Sequence, residues 1–167
     1  MAYTNHLLVV ANRTVDSPEL LDALDHRAER GPIHVTLLAP TSWSERGSAK
    51  RRLDGAVACL RAGGMEAVGL LGDEDPIVAV EETWDPGRFD EVVVSTLAAP
   101  ASRWMQADLP HRVAKLTDCP VLHIETPIAR PAPSRAPMRP ASTPGLLPSV
   151  LALMRAQTRR SDARARA

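Results

Sequence analysis

Five short apolar runs alternate along this chain with longer stretches in which apolar residues return every three or four positions. The runs are 6–12, 33–39, 66–71, 91–95 and 121–125. Each is five to seven residues long, rich in Val, Leu and Ile, and nearly unbroken by polar residues. Such runs suit strands covered on both faces rather than strands with one wet side. Between them the period changes to that of an amphipathic helix. Leu20, Leu21, Leu24 and Ala28 form one stripe, and Leu53, Val57 and Leu60 form another. Ile77 and Val80 mark a third helix, and a fourth spans Leu109 to Leu116.

The punctuation between these elements agrees with the period. Asp16-Ser17-Pro18-Glu19 offers a capping residue, a proline for the first turn and an acid at the positive end of the helix dipole. Gly31-Pro32 closes that helix, and Pro40 is expected to stop the second strand. Thr41 to Gly47 reads as a loop, followed by a helix from about Ser48 to Ala62 that ends at Gly63-Gly64. Asp73-Glu74-Asp75-Pro76 repeats the helix-start signature, and Pro86-Gly87 follows its helix. The resulting order, βαβαβαβαβ with helical crossovers, predicts an α/β fold: a single doubly wound domain with a five-stranded parallel sheet and helices on both faces.

That domain is expected to occupy residues 1–126. Beyond it, seven prolines lie between Pro127 and Pro148, too many for helix or central strand, so 127–167 reads as a Pro/Arg-rich C-terminal extension, mostly disordered. Leu147, Val150, Leu151 and Met154 would share one side of a short helix over 146–157. Charge divides at the same boundary. Twelve Lys/Arg face nineteen Asp/Glu up to Thr126, whereas the extension holds eight Arg and one acid, Asp162. The basic end could meet an acidic partner or stay solvated. Arginine without interleaved aromatics gives nucleic acid little to stack on, so nucleic-acid binding is not expected.

Aromatic residues make up only 3% of the chain, so the core must be aliphatic. Cys59 and Cys119 are far apart in sequence and belong to no C-x-x-C, which argues against a disulfide framework or zinc site. No run approaches the roughly 20 apolar residues of a membrane span. Without a basic segment before an apolar one at the N-terminus, the cytoplasm is the expected compartment.

Ligands of open parallel sheets bind beyond the carboxyl ends of the strands. Here that crevice would be lined by Ala11 and Asn12 after the first strand, Pro40 after the second, and Ser95, Thr96 and Ala98 after the fourth. The following loop adds Ser102 and Arg103, and Asp108 opens the next helix. Neither G-x-G-x-x-G nor G-x-x-x-x-G-K-[ST] is present. No nucleophile elbow occurs. His6, His34 and His123 lie in or beside strands, where packing is their expected role; His111, in the first turn of the fourth helix, could reach a pocket. Asp73, Glu74 and Asp75 are explained by the helix dipole without a metal.

The strand Val92-Val93-Val94-Ser95-Thr96 and the stretch from His111 to Ile124, with its Cys119-Pro120 turn, resemble the universal stress protein family, as does Gly72-Asp73-x-x-Pro76. The likeness covers Leu7 to Ile124. It implies a strand order of 3-2-1-4-5 and homodimers joined through the fifth strands. Members that bind ATP carry Gly-x-x-Gly, a spacer and Gly-Ser or Gly-Thr, where backbone amides cradle the phosphates. Here Ser95 and Ala98 replace the first two glycines and Ala107-Asp108 the last pair. Family members often have an aspartate near the adenine, where this chain has Asn12.

Asp108 is expected to cap its helix and so to put a carboxylate where a phosphate would sit, at a cost of about 1 to 4 kcal/mol for charges ~4 Å apart. Arg103 could compensate with a bidentate fork or could pair with Asp108. Trp104 could stack on a base or pack as a lid over the sheet end. These substitutions predict a non-enzymatic regulatory or signalling protein of the universal-stress type with no strongly held cofactor. The alternative is a sensor of AMP or ATP with an altered phosphate loop.

Overall fold

The computed structural model describes residues 3–98 and 102–128. Of the extension expected over 127–167, everything from 129 onward, including the helix over 146–157 and the Arg-rich end, lies outside the described residues. The elements run β1 (Asn5–Val10), α1 (Pro18–Ala28), β2 (Ile33–Pro40), α2 (Arg46–Ala62), β3 (Glu66–Gly72), α3 (Pro76–Thr83), β4 (Glu91–Leu97), α4 (Arg103–Gln106), α5 (Leu109–Thr117) and β5 (Val121–Thr126). All strand pairs are parallel, and the sheet order is β3-β2-β1-β4-β5. This is the doubly wound architecture that the element order requires.

Strand alternation divides the interior into two layers. Leu7 and Val9 of β1, Val35 and Leu37 of β2 and Val93 of β4 face the α1 and α2 side, where they meet Leu20, Leu24, Leu53, Val57 and Leu60. Leu8, Val10, Leu38, Val92 and Val94 face the opposite side and pack on Ala79, Val80, Phe89, Leu109 and Val113. The two central strands are therefore apolar at consecutive positions, and this explains their unbroken runs. Each fully buried Leu or Val contributes roughly 1.5 to 3 kcal/mol, so aliphatic packing suffices despite the scarcity of aromatic rings.

The helix starts separate signal from appearance. Ser17, extended at φ −71°, accepts from the Leu20 amide, with Pro18 in the first turn; Asp75 likewise accepts from Ile77 before Pro76. Two starts differ from expectation. The segment after β2 forms a 3-10 turn over Trp43–Glu45, and α2 begins at Arg46, two residues before Ser48. Ser48 instead returns its hydroxyl to the Glu45 carbonyl at 2.9 Å. The loop after β4 contains the short α4, capped by Ser102 through the Met105 amide at 3.2 Å.

Strand ends also run further than their apolar cores. β4 continues through Thr96 and Leu97, paired with Glu125 and Thr126 of β5. Pro40 is the last residue of β2 rather than the first residue beyond it, opposite Gly72. A proline fits there because its missing N–H falls at a strand end.

Candidate functional site

A cleft of about 550 Å³ opens at the carboxyl ends of the strands. Its floor is the gap between β1 and β4, the neighbours from which the chain departs in opposite directions, toward β2 and toward β5. That divergence is the switch point at which doubly wound sheets bind ligands. Of the residues expected there, Asn12, Pro40, Ser95, Thr96, Ser102 and Arg103 all line the cleft.

The other three expected residues do not. Ala11 is fully buried and packs with the α1/α2 layer, since its position in the β1 alternation turns it away from the opening. Ala98 lies outside the lining, and its amide donates to the Thr126 carbonyl at 2.9 Å. Asp108 requires a larger correction. It is exposed, stands outside the lining, and makes no side-chain capping bond. Its backbone is left-handed, φ 50° and ψ 45°, whereas a capping side chain needs an extended one. The cause is the tight junction with α4. Ala107 and Asp108 donate to the Arg103 and Met105 carbonyls, and α5 starts at once. Aspartate is tolerated in that conformation, and no carboxylate occupies the amide terminus of α5.

The cleft residues divide by charge along the strand order. Arg13 follows β1, and Arg103 and Arg112 come from α4 and α5 beyond β4. Glu45 follows β2, and Glu74 and Asp75 follow β3. Among the described residues none of these six joins an ion pair, so of the two alternatives for Arg103 the pair with Asp108 is not formed. Both signs therefore line the opening without an ion pair between them among the described residues, Asp75 being held by the α3 amide terminus.

At the floor, Ser95 is fully buried and its hydroxyl has no hydrogen-bond partner among the described residues. A buried polar atom without a partner costs about 1 to 3 kcal/mol, and by strand alternation this one lies on the Val93 and Ala11 face of the sheet rather than in the opening. Thr14 donates its hydroxyl to the Ser95 carbonyl, and the Ser102 oxygen accepts from the Met105 amide of α4. Asn12 donates from Nδ2 to the Pro40 carbonyl at 2.7 Å and accepts at Oδ1 from Arg52 Nη2 at 3.1 Å. Trp104 is half-buried and packs against the α3/α5 layer while one part lines the cleft, which is the lid-like arrangement rather than a free stacking platform.

Several side chains escape a reading of the sequence. Arg13, Thr14, Glu45 and Arg112 sit in loops or on a helix face whose direction only the tertiary structure sets. Thr96 Oγ1 lies 2.9 Å from His123 Nε2, joining β4 to β5 beside the cleft. Among the described residues His123 has no carboxylate on its other nitrogen, so this contact lacks the oriented base that a hydroxyl nucleophile needs. His111 is exposed and outside the lining, and His6 and His34 stack on each other at 5.2 Å near the amino ends of β1 and β2. Asp73 and Asp75 each accept from a backbone amide at the α3 start. Among the described residues no three His, Cys, Asp or Glu side chains gather as a metal site, and no helix is long and apolar enough to cross a membrane.

No protein-family model and no curated protein matches the chain by sequence. Solved structures do match. The universal stress protein from Archaeoglobus fulgidus in complex with dAMP is 19% identical, with a TM-score of 0.52, over 74% of this chain and 99% of that one. A second structure of universal stress protein from Archaeoglobus fulgidus, also 19% identical, gives a TM-score of 0.51 over 72% of this chain and 93% of that one. The chain has the fold of the universal stress proteins, with the strand order that the resemblance implies.

Proposed function

We propose that this protein is a universal-stress-type regulatory module that binds a nucleoside monophosphate in the β1/β4 cleft and is not a strong ATP binder. The observation that carries the reading is a cleft at the β1/β4 switch point edged by Arg13, Arg103 and Arg112, none of which joins an ion pair among the described residues. A protein of the same fold is described with dAMP bound. In glycine-bearing relatives the phosphates would rest on backbone amides. Here arginine side chains take that place, and a guanidinium fork suits a terminal phosphate carrying close to two charges at neutral pH.

A triphosphate is a poorer match. Its extra charge needs a lined cradle, and the residues that replace the glycines all carry side chains. The first turn of α5 contains Pro110, which offers no amide. The lack of an oriented base at Thr96 favours binding over turnover. β5 forms an open edge of the sheet, with exposed positions along its length, and supports the expected homodimer through that strand.

The reading is tested by thermal shift and calorimetric titration of the full chain with purine nucleoside monophosphates and their triphosphates. A monophosphate at a hundredfold excess over its Kd should add about 2.7 kcal/mol of stability. Arg103→Ala with Arg112→Ala should weaken every monophosphate at least tenfold, whatever its base. Absence of any shift with millimolar monophosphates refutes the proposal and leaves a protein that acts through partners alone.

A further inference from the structure

Three tryptophans occur in the chain, and the fold uses two of them. Trp84 stacks on Phe89 at 5.9 Å, and Trp104 packs against the α3/α5 layer. Trp43 is 84% exposed. Tryptophan is highly buried on average because it has so much apolar surface to remove from water. The turn that presents Trp43 is nonetheless well held. The Glu45 amide donates to the Ser42 carbonyl at 3.1 Å, and the Ser48 hydroxyl donates to the Glu45 carbonyl at 2.9 Å. A hydrogen-bonded 3-10 turn therefore displays the ring to solvent.

The start of α2 departs from a second local rule. The positive end of a helix dipole favours acids, yet the first turn of α2 has none, and Glu45 makes no side-chain capping bond. Arg46, Lys50 and Arg51 occupy the first two turns instead. Lys50 is neutralised by Asp54, whose oxygens lie 2.6 and 2.7 Å from its Nζ. Arg46 and Arg51 join no ion pair among the described residues. The Arg46 guanidinium carbon lies 5.4 Å from the centroid of the Trp43 ring. Arg51 reaches back beside Gly47, its Nη1 3.9 Å from where a methyl group on that glycine would stand. One exposed ring and two unpaired guanidinium groups thus share one end of the helix.

We infer that Trp43, Arg46 and Arg51 form a docking surface for an acidic segment of a partner protein. Tryptophan and arginine are the side chains that most often anchor protein interfaces, and a preset turn loses little freedom on binding. Partner carboxylates would meet the two guanidinium forks, and an apolar residue among them would cover the ring. The complementarity is local. With twelve Lys/Arg against nineteen Asp/Glu up to Thr126, the rest of the domain repels such a segment and steers it to this end of α2. Two unpaired cations are few for a nucleic-acid strand, which is held by phosphates along its track. A lipid surface needs an apolar face, and among the described residues between β2 and β3 no other large apolar side chain is exposed. None of the three residues lines the cleft, so the inference is independent of the nucleotide reading.

The test uses the full chain and a dye-labelled synthetic peptide of Asp and Glu with a leucine at its centre, followed by fluorescence anisotropy at low salt. The peptide should bind saturably, and its Asn/Gln counterpart should not. Trp43→Ala should weaken binding about tenfold, and Arg46→Gln with Arg51→Gln by about as much. Trp43→Phe should recover most of the first loss, which separates a lost contact from a folding defect. Absence of saturable binding overturns the inference. Binding unchanged in either variant also overturns it, because the Arg-rich extension by itself would give that result. Vesicles containing phosphatidylserine and single-stranded oligouridine are titrated in parallel; tighter, Trp43-dependent binding of either overturns the assignment to a protein partner.

Discussion

Thr14 Oγ1 donates to the carbonyl oxygen of Ser95 at 3.0 Å, fastening the loop after β1 to the end of β4. The last direct pair between those strands is Val10–Val94. One residue further, the β4 backbone has no strand neighbour on that side, and a side-chain hydroxyl completes the ladder. Thr14 is itself buried, so the bond forms in a low-dielectric setting. Thr14→Val keeps the shape and removes the donor. It should cost about 1 to 2 kcal/mol in urea denaturation, and Thr14→Ser should restore most of the loss.

Asp108 gives a prediction of the opposite sign. If it capped α5, replacement by glycine would cost a few tenths of a kcal/mol. Its left-handed backbone and missing capping bond reverse that expectation. Glycine takes φ 50° without steric cost, so Asp108→Gly should leave the chain equally stable or more stable by up to about 1 kcal/mol. The denaturation midpoint of the single variant decides between the two.

These two residues show where the sequence was readable and where it was not. The β1 and β4 runs and the Ser17-Pro18 and Asp75-Pro76 starts each follow from local period or local capping, and they fold as expected. Asp108 looks like a cap by the same local rule. It fails because α4, only four residues long and held by Ser102, delivers the chain to α5 at an angle that precludes an extended residue. The crevice was legible near the carboxyl ends of the strands, as at Asn12, Pro40 and Ser95, although Ala11 and Ala98, which directly follow β1 and β4, stand outside it. Arg112 and Glu45 depend on how a helix face or turn is aimed, and Arg52 reaches Asn12 from 40 residues away. No short-range pattern records such meetings.

At the far end of the sheet, acid should loosen the fold through Asp90. The amide of His6 donates to its Oδ2 at 2.8 Å and the Tyr3 hydroxyl donates to Oδ1, which together hold the Asp90 carboxyl below the usual carboxylate range. A lowered folded pKa means that the unfolded chain takes up the proton first. The contribution is therefore complete above the unfolded value, about 4, and disappears as pH falls through the folded one. Asp90→Asn should lower stability near neutrality and flatten its dependence on pH below 4, measured by urea denaturation at several pH values. An unchanged acid limb would show that the link between β1 and the β4 approach carries no ionic contribution.

Gly72 couples the core to the cleft. A methyl group placed on it would lie 2.6 Å from the Ala79 Cβ and 3.0 Å from Leu38 Cδ1, so α3 rests directly on the end of β3. The requirement is one of space, since Gly72 is absent from the positive-φ glycines. Gly72→Ala must push α3 away, and overpacking of this kind costs about 1 to 3 kcal/mol. The first turn of α3 carries Asp75 and Pro76 into the cleft wall, with Glu74 just before it. Displacement of the helix should therefore weaken nucleotide binding as well as stability, although Gly72 is not itself a cleft residue. Gly69 separates the two effects, because a methyl there meets the Leu53 side chain on the α2 layer at 2.7 Å, away from the acidic wall. Gly69→Ala should lower the melting temperature with little change in affinity per folded molecule, whereas Gly72→Ala should lower both; equal affinity in the two variants would show that the acidic wall takes no part in holding the ligand.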